Sequence, residues 1–235
     1  MKKPAIFALI LTLLCGSLFA QKTPVTKPEE TEKPAVPTTP QTQKVQDYSS
    51  ALSLARYGYA TKNALCLITA ADMMYKLNVS PLPASARQNP SESAPTDSKP
   101  AKPDLANPEQ LLIDARRLAK GDATVLALAN RVKPALPTRG AVGGPKRSTT
   151  SVSANSVDVF QIRFRGYESA IVALRGDGDT DLDLYIYDDN GNLIARDDDY
   201  TDGCVASWTP RYTGLFTIRV KNRGSVYNRY TLATN

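Results

Sequence analysis

The chain contains no histidine. That absence removes His-based triads, most zinc sites and the commonest general base. Cysteine is scarce too, with Cys15, Cys66 and Cys204 the only three. No nucleophile elbow, Cys–His pairing or phosphate-binding glycine loop is present. What is left for an enzyme is a pair of aspartates acting as acid and base, as in glycoside hydrolysis. So many Asp residues lie close together that coincidence supplies such pairs, and the expectation is a non-enzyme. Lys and Arg number 29 against 23 Asp and Glu, but between Ser151 and Asn235 the count is 9 against 12. The positive excess lies upstream. No focused basic face of the kind nucleic-acid binding needs stands out, so no nucleic-acid partner is expected.

Apolar runs are short. Ala5–Leu14 follows Lys2 and Lys3 and precedes Leu18-Phe19-Ala20. This order of basic, apolar and small residues reads as a secretory signal over residues 1–20, with the mature chain starting at Gln21 and no membrane span left after cleavage. Leu14 before Cys15 is too large for a lipobox. Export makes the protein secreted or periplasmic and permits a disulfide. For Cys66 and Cys204 both a bridge and two free thiols stay open.

Residues 21–46 are rich in Pro and Thr and cannot bury enough apolar surface to offset chain entropy, which predicts a linker. Residues 47–133 read as a helical unit. Tyr48, Leu52, Ala55 and Tyr59 share one face, Gly58 interrupts or ends the first helix, and Thr61 is placed to cap the second. Ala64, Leu67, Ile68, Ala71, Met74 and Tyr75 form the second stripe. Residues 80–103 are polar and Pro-rich and read as a disordered insertion. Asn107-Pro108-Glu109-Gln110 starts a third helix and Asp122 a fourth. Residues 134–150 read as a second linker.

From residue 151 to 235 the pattern is β. The stretch Gly176–Asn192, GDGDTDLDLYIYDDNGN, places Asp181, Asp183, Tyr185 and Tyr187 on one face and Leu182, Leu184 and Ile186 on the other. This is the period-two alternation of a half-buried strand. Asn190-Gly191 signals a two-residue hairpin. About seven short strands predict a sandwich or jelly roll. The fold class expected is therefore two-part: a small all-α unit followed by an all-β, jelly-roll-like sandwich.

The run from Gly176 to Asp199, then VASWTPRYTGLFTIRVKNRG, then YNRYTL, resembles the bacterial pre-peptidase C-terminal domain over roughly residues 149–235. The shared features are the acidic strand Asp181–Tyr185, the Asn190-Gly191 turn, Asp197–Asp199, Trp208–Pro210 and Gly214–Val220. The resemblance implies a jelly-roll-like sandwich, usually attached to secreted peptidases and not itself catalytic.

Two groups of residues are candidate sites. Asp177, Asp179, Asp181, Asp197, Asp198 and Asp199 have the chemistry of calcium ligands, if the hairpin folds one loop against the other. The bland alternative is solvated Asx turns. Leu182 stands where an EF-hand count needs glycine, so that motif is excluded. Tyr185, Tyr187, Tyr200 and Tyr212 are candidates for a surface that binds protein or glycan, whereas Trp208 is expected in the core. The functional expectation is an exported, non-catalytic binding or accessory protein, with calcium stabilisation an open option. The alternative is a secretion or maturation appendage that keeps a partner soluble. Intact-mass measurement of exported protein is expected to give a chain starting at Gln21; a retained signal would indicate an anchored protein.

Overall fold

The structure, a computed structural model, describes residues 36–89, 99–134 and 144–235. The expected signal and the Gln21 start lie outside them. Thr39 caps helix α1 (Pro40–Thr61) through a reciprocal bond with Thr42, and Pro40 occupies the first helical position. The helix thus begins within the stretch expected to be a linker. It also runs through Gly58. A Cβ there would lie 2.7 Å from Leu67 Cδ2, so the missing side chain sets how closely the next helix approaches. Asn63, and not Thr61, caps α2 (Ala64–Leu77). Asn107 caps α3 (Pro108–Leu118) and Asp122 caps α4 (Ala123–Arg131), as the sequence pattern predicts.

The strands are β1 (Ser80–Pro81), β2 (Lys146–Val152), β3 (Val157–Phe164), β4 (Ala170–Gly176), β5 (Leu182–Tyr187), β6 (Leu193–Asp197), β7 (Gly203–Trp208), β8 (Gly214–Asn222) and β9 (Asn228–Thr234). They form two sheets, one in the order β1-β2-β9-β4-β7 and one in the order β3-β8-β5-β6. Except at the β5–β6 hairpin, each step from β2 to β9 crosses from one sheet to the other. That is a jelly-roll arrangement. Leu182, Leu184 and Ile186 point inward with Phe160, Trp208, Phe216, Ile218 and Leu232. Trp208 meets Phe164 edge-on at 4.7 Å, so it is a core residue. The hairpin turn differs from the expected two-residue loop. It spans residues 188–192, because the Asp188 carboxylate accepts from the backbone N–H groups of Asn190 and Asn192.

The helices are not separate from the sandwich. Ile171 and Ala173 of β4 and Ala233 of β9 are almost fully buried among Leu52, Leu67, Leu111 and their helical neighbours. The outer face of the five-stranded sheet is therefore the floor of the helical core, and residues 36–235 form one compact unit. The continuous apolar run Ala170–Leu174 follows directly, since a strand covered on both faces has no need to alternate. Cys204 lies inside the sandwich with its thiol donating to the Leu182 carbonyl, whereas Cys66 belongs to α2; both are free thiols.

The expected insertion and linker contribute structure as well. β1 pairs with β2, and β2 already begins at Lys146. Between them in sequence, Arg87 donates to both oxygens of Asp158, at 2.7 and 2.8 Å, and to the Ser151 carbonyl and the Thr150 hydroxyl. The Asp158 carboxylate is buried and also accepts from the Tyr230 hydroxyl. Asn89 then bonds to β3 like a strand residue, its side chain reaching the Val157 carbonyl and the Val159 N–H. Polar residues in a Pro-rich stretch give no periodicity to read, so this anchoring was not visible in the sequence. Removing Arg87 leaves Asp158 as an uncompensated buried carboxylate. Arg87→Met is expected to cost about 3–5 kcal/mol in denaturant unfolding, and Asp158→Asn in that background to restore much of it. Additive losses in the double variant would contradict the coupling.

Candidate functional site

The six aspartates proposed as calcium ligands divide into groups with different partners. At the loop after β4, Lys99 lies over the Tyr227 ring and donates to Asp177 Oδ2 at 2.7 Å, to Asp179 Oδ2 at 2.6 Å and to the Tyr227 carbonyl at 2.7 Å. All three of its N–H donors are used, and its side chain is only 10% exposed. Lys102 bonds to the other Asp179 oxygen and to the Asp177 carbonyl. Beside them Arg56 of α1 pairs with Asp202 at 2.5 Å, and Arg229 with Asp104 at 2.8 Å. Burial alone would lower the Lys99 pKa, but its bonds to Asp177 and Asp179 outweigh that and raise it. Burial likewise tends to raise the Asp179 pKa, and the two lysines pull it down further.

Asp181 keeps one buried oxygen with no hydrogen-bond partner; burial, then the charge of Asp183, raises its pKa. Asp197 accepts from the Val205 N–H, Asp198 pairs with Arg196 at 3.5 Å, and Asp199 accepts from Thr201. Among the described residues no group of three or more His, Cys, Asp or Glu is placed to hold a metal ion. With lysine ammonium groups on Asp177 and Asp179 and local bonds at Asp197 and Asp199, these side chains do not fit an open cage of six to eight oxygens.

The four tyrosines also separate. Tyr200 is 98% exposed in the β6–β7 loop. Tyr212 stacks on Phe216 and bonds to Asp189. Tyr185 and Tyr187 stand together on the outer face of the four-stranded sheet, where strand register arranges the side chains in rows. Val159, Arg219, Tyr185 and Arg196 lie opposite one another across the four strands. The next row is Gln161, Thr217, Tyr187 and Leu193. The Arg219 guanidinium lies over the Tyr187 ring at 4.9 Å, a cation–π contact. Tyr185 donates to Asp183, a buried carboxylate also held by Arg223. Burial, then that bond, raises the Tyr185 pKa.

Arg163, Arg196 and Arg219 are exposed here, with Lys221 half-buried among them and Arg223 at the margin. The acidic groups beside them, Asp183 and Asp198, are already paired with Arg223 and Arg196. This sheet face therefore carries a local positive excess. The charge count over residues 151–235 averages an acidic loop end with a basic sheet face. The outward positions of Gln161-Ile162-Arg163 and of Thr217-Ile218-Arg219-Val220-Lys221 carried the signal, and period-two reading recovers it. The helices make their main sheet contacts with β4 and β9 of the other sheet. Of the two outer sheet faces, one is thus covered by helices and the other carries exposed arginine and half-buried tyrosine.

No family model and no curated protein matches the chain. Among solved structures, the periplasmic inhibitor of g-type lysozyme PliG of Aeromonas hydrophila is similar at 9% identity over 42% of this chain and 91% of its own, with a TM-score of 0.32. A de novo designed double-stranded β-helix is similar at 9% identity over 38% of this chain and 99% of its own, with a TM-score of 0.26. Likenesses of this size carry no functional information. Among the described residues no helix is long and apolar enough to cross a membrane.

The lysine-filled loop has a defined pH window. The lowered Asp179 pKa means that its contribution is present above the ordinary 3.8 and is lost as pH falls through the lower folded value. The raised Lys99 pKa means that its contribution is present below 10.5 and is lost as pH rises through the higher folded value. The stability difference between the wild-type chain and Lys99→Met is therefore expected to stay level across neutral pH and to shrink only outside these limits. Calcium is expected to leave the melting temperature of the wild-type chain unchanged and to raise that of the Lys99→Met/Lys102→Met variant, whose carboxylates are freed. A calcium-dependent shift in the wild type would contradict the assignment.

Proposed function

We propose that the chain is an exported, non-catalytic binding protein whose open four-stranded sheet docks on an acidic face of a partner protein. The observation that carries this reading is the row Arg219–Tyr185–Arg196, which continues into the Arg219–Tyr187 contact. Tyr and Arg are the side chains that most often dominate protein interfaces, because each combines a large contact area with directed hydrogen bonding. Here Tyr185 is held by Asp183 and Arg223, so it loses little rotamer freedom on binding. The arginines have no excess of acid around them and present net positive charge outward, which favours encounter with an acidic surface. The resemblance of residues 149–235 to the pre-peptidase C-terminal domain implies a sandwich that is not itself catalytic, in keeping with this reading. The signal-like order of basic, apolar and small residues in residues 1–20 supports an interaction outside the cytoplasm.

The test is capture of partners from the extracytoplasmic fraction by wild-type chain and by Arg196→Glu/Arg219→Glu, followed by affinity measurement on the purified pair. The expected result is one protein, captured in a salt-sensitive manner, whose binding weakens about thirtyfold or more in the double variant. Equal capture by both chains would overturn the proposal, and retention of an acidic polysaccharide with no protein would replace the partner class.

A further inference from the structure

The two sheets end in four edge strands, β1 and β7 of one and β3 and β6 of the other. An open edge presents unpaired N–H and C=O groups to any strand that approaches, and folded chains cover or blunt it. Three of the edges are managed in this way. β1 is two residues long and ends in Pro81, which has no N–H. Along β7, the Asp197 carboxylate accepts from the Val205 N–H at 2.8 Å, and the Thr201 hydroxyl bonds to both the N–H and the carbonyl of Gly203 at 3.3 Å. Along β3, the Gln88 N–H donates to the Val159 carbonyl, and the Asn89 side chain takes the Val157 carbonyl and the Val159 N–H. β6 differs: among the described residues no strand pairs with its outer edge. It also carries Leu193 and Ile194, 47% and 42% exposed. Tyr187 faces Leu193 and Ile186 faces Ala195, so Ile194 is a bulged residue. An isoleucine thus stands exposed at the edge, where a charge would guard it.

We propose that β6 takes up an extended, acidic segment of a partner protein as a fifth strand of the four-stranded sheet. The inference rests on the sheet-face reading above and specifies how the partner engages that face. The row Arg219, Tyr185, Arg196 ends at β6. A strand added there places every second side chain in line with this row, where a carboxylate meets Arg196 with Arg219 behind it. The alternate side chains fall on the side of Ala195, which is partly buried against the sandwich core, and that side favours apolar residues. Leu193 and Ile194 add apolar contact area at the edge itself. Arg196 already pairs with Asp198 at 3.5 Å, but an exposed pair of this length holds weakly, whereas main-chain bonds would fix the new carboxylate in place. A second copy of this chain fits less well, because joining two β6 edges brings two arginine-bearing faces side by side. A partner segment in which acid and apolar residues alternate meets both requirements: its backbone supplies affinity, and its carboxylates set the choice of partner.

The test is titration of the full chain with a synthetic heptapeptide of alternating glutamate and valine, followed by amide hydrogen exchange on the complex. A lysine–valine heptapeptide is the charge control. Two further glutamate–valine peptides are N-methylated, one on its valines and one on its glutamates, so that each lacks the N–H groups of one edge. The unmodified acidic peptide is expected to saturate one site per chain and to slow exchange within Leu193–Asp197. One N-methylated form is expected to bind about tenfold or more weaker than the other, since a single edge meets β6. Ile194→Lys puts a charge on the exposed edge; it is expected to keep the melting temperature and to lower affinity about tenfold. Absence of saturation by the acidic peptide would overturn the proposal. Equal binding of both N-methylated forms, with no protection in β6, would also overturn it, while leaving the arginine–tyrosine face as a docking surface. Equal affinity for the lysine–valine peptide would instead remove the acidic partner on which both readings rest. Protection of β6 that rises with protein concentration in the absence of peptide would assign the edge to a second copy and overturn the proposal.

Discussion

The structure depends on one packing contact, the burial of the outer face of the five-stranded sheet beneath the helices. β4 supplies side chains to both cores, with Val172 and Leu174 facing the sandwich interior and Ile171 and Ala173 facing the helices. Small residues at 173 and 233 let α1 lie close to the strands. A sandwich of this size without the helices would expose an apolar sheet face, and α2, α3 and α4, of 14, 11 and 9 residues, are marginal alone in water. Each part thus supplies the surface that the other needs. Covering one sheet also decides which face is left for a partner.

Charge secures this arrangement at points far apart in sequence. Arg87 reaches Asp158 across 71 positions, Lys99 reaches Asp177 across 78, and Arg56 reaches Asp202 across 146. Ion pairs at such an interface contribute less to net stability than apolar burial does, but breaking one leaves its partner uncompensated. That asymmetry makes them registration devices: they hold the chain after α2 along the edge of the sandwich and fill the acidic loop with ammonium groups. A sheet edge guarded in this way leaves the arginine–tyrosine face as the available broad surface.

Much of the fold was legible in local pattern. Alternation in Leu182–Tyr187 located β5 and the side chains it buries, and Asn107-Pro108 and Asp122 located two helix starts. The helix boundaries at Pro40 and Gly58 were not, because Thr39 caps within a Pro-rich run and Gly58 is tolerated for an interhelical approach that only tertiary packing creates. The run Ala170–Leu174 did carry the sign of a strand buried on both faces; reading only alternate residues hid it. The site was less legible. Tyr185 and Tyr187 were recognised as outward-facing, whereas Tyr200 and Tyr212 go elsewhere. The basic face emerges only when Arg163, Arg196, Arg219 and Lys221 are assigned to adjacent strands in register. The lysines that meet Asp177 and Asp179 come from a segment with no periodic signal at all.

The central claim is that helices and sandwich form one cooperative body. Native-state amide hydrogen exchange on the full chain tests it most directly. The account predicts that core amides of α1 and α2 and those of β4 and β9 open together, with the same free energy and the same denaturant dependence, because exposing one side of the β4 layer exposes the other. Helical amides that exchange through a separate, lower-energy opening while β4 and β9 stay protected would contradict it.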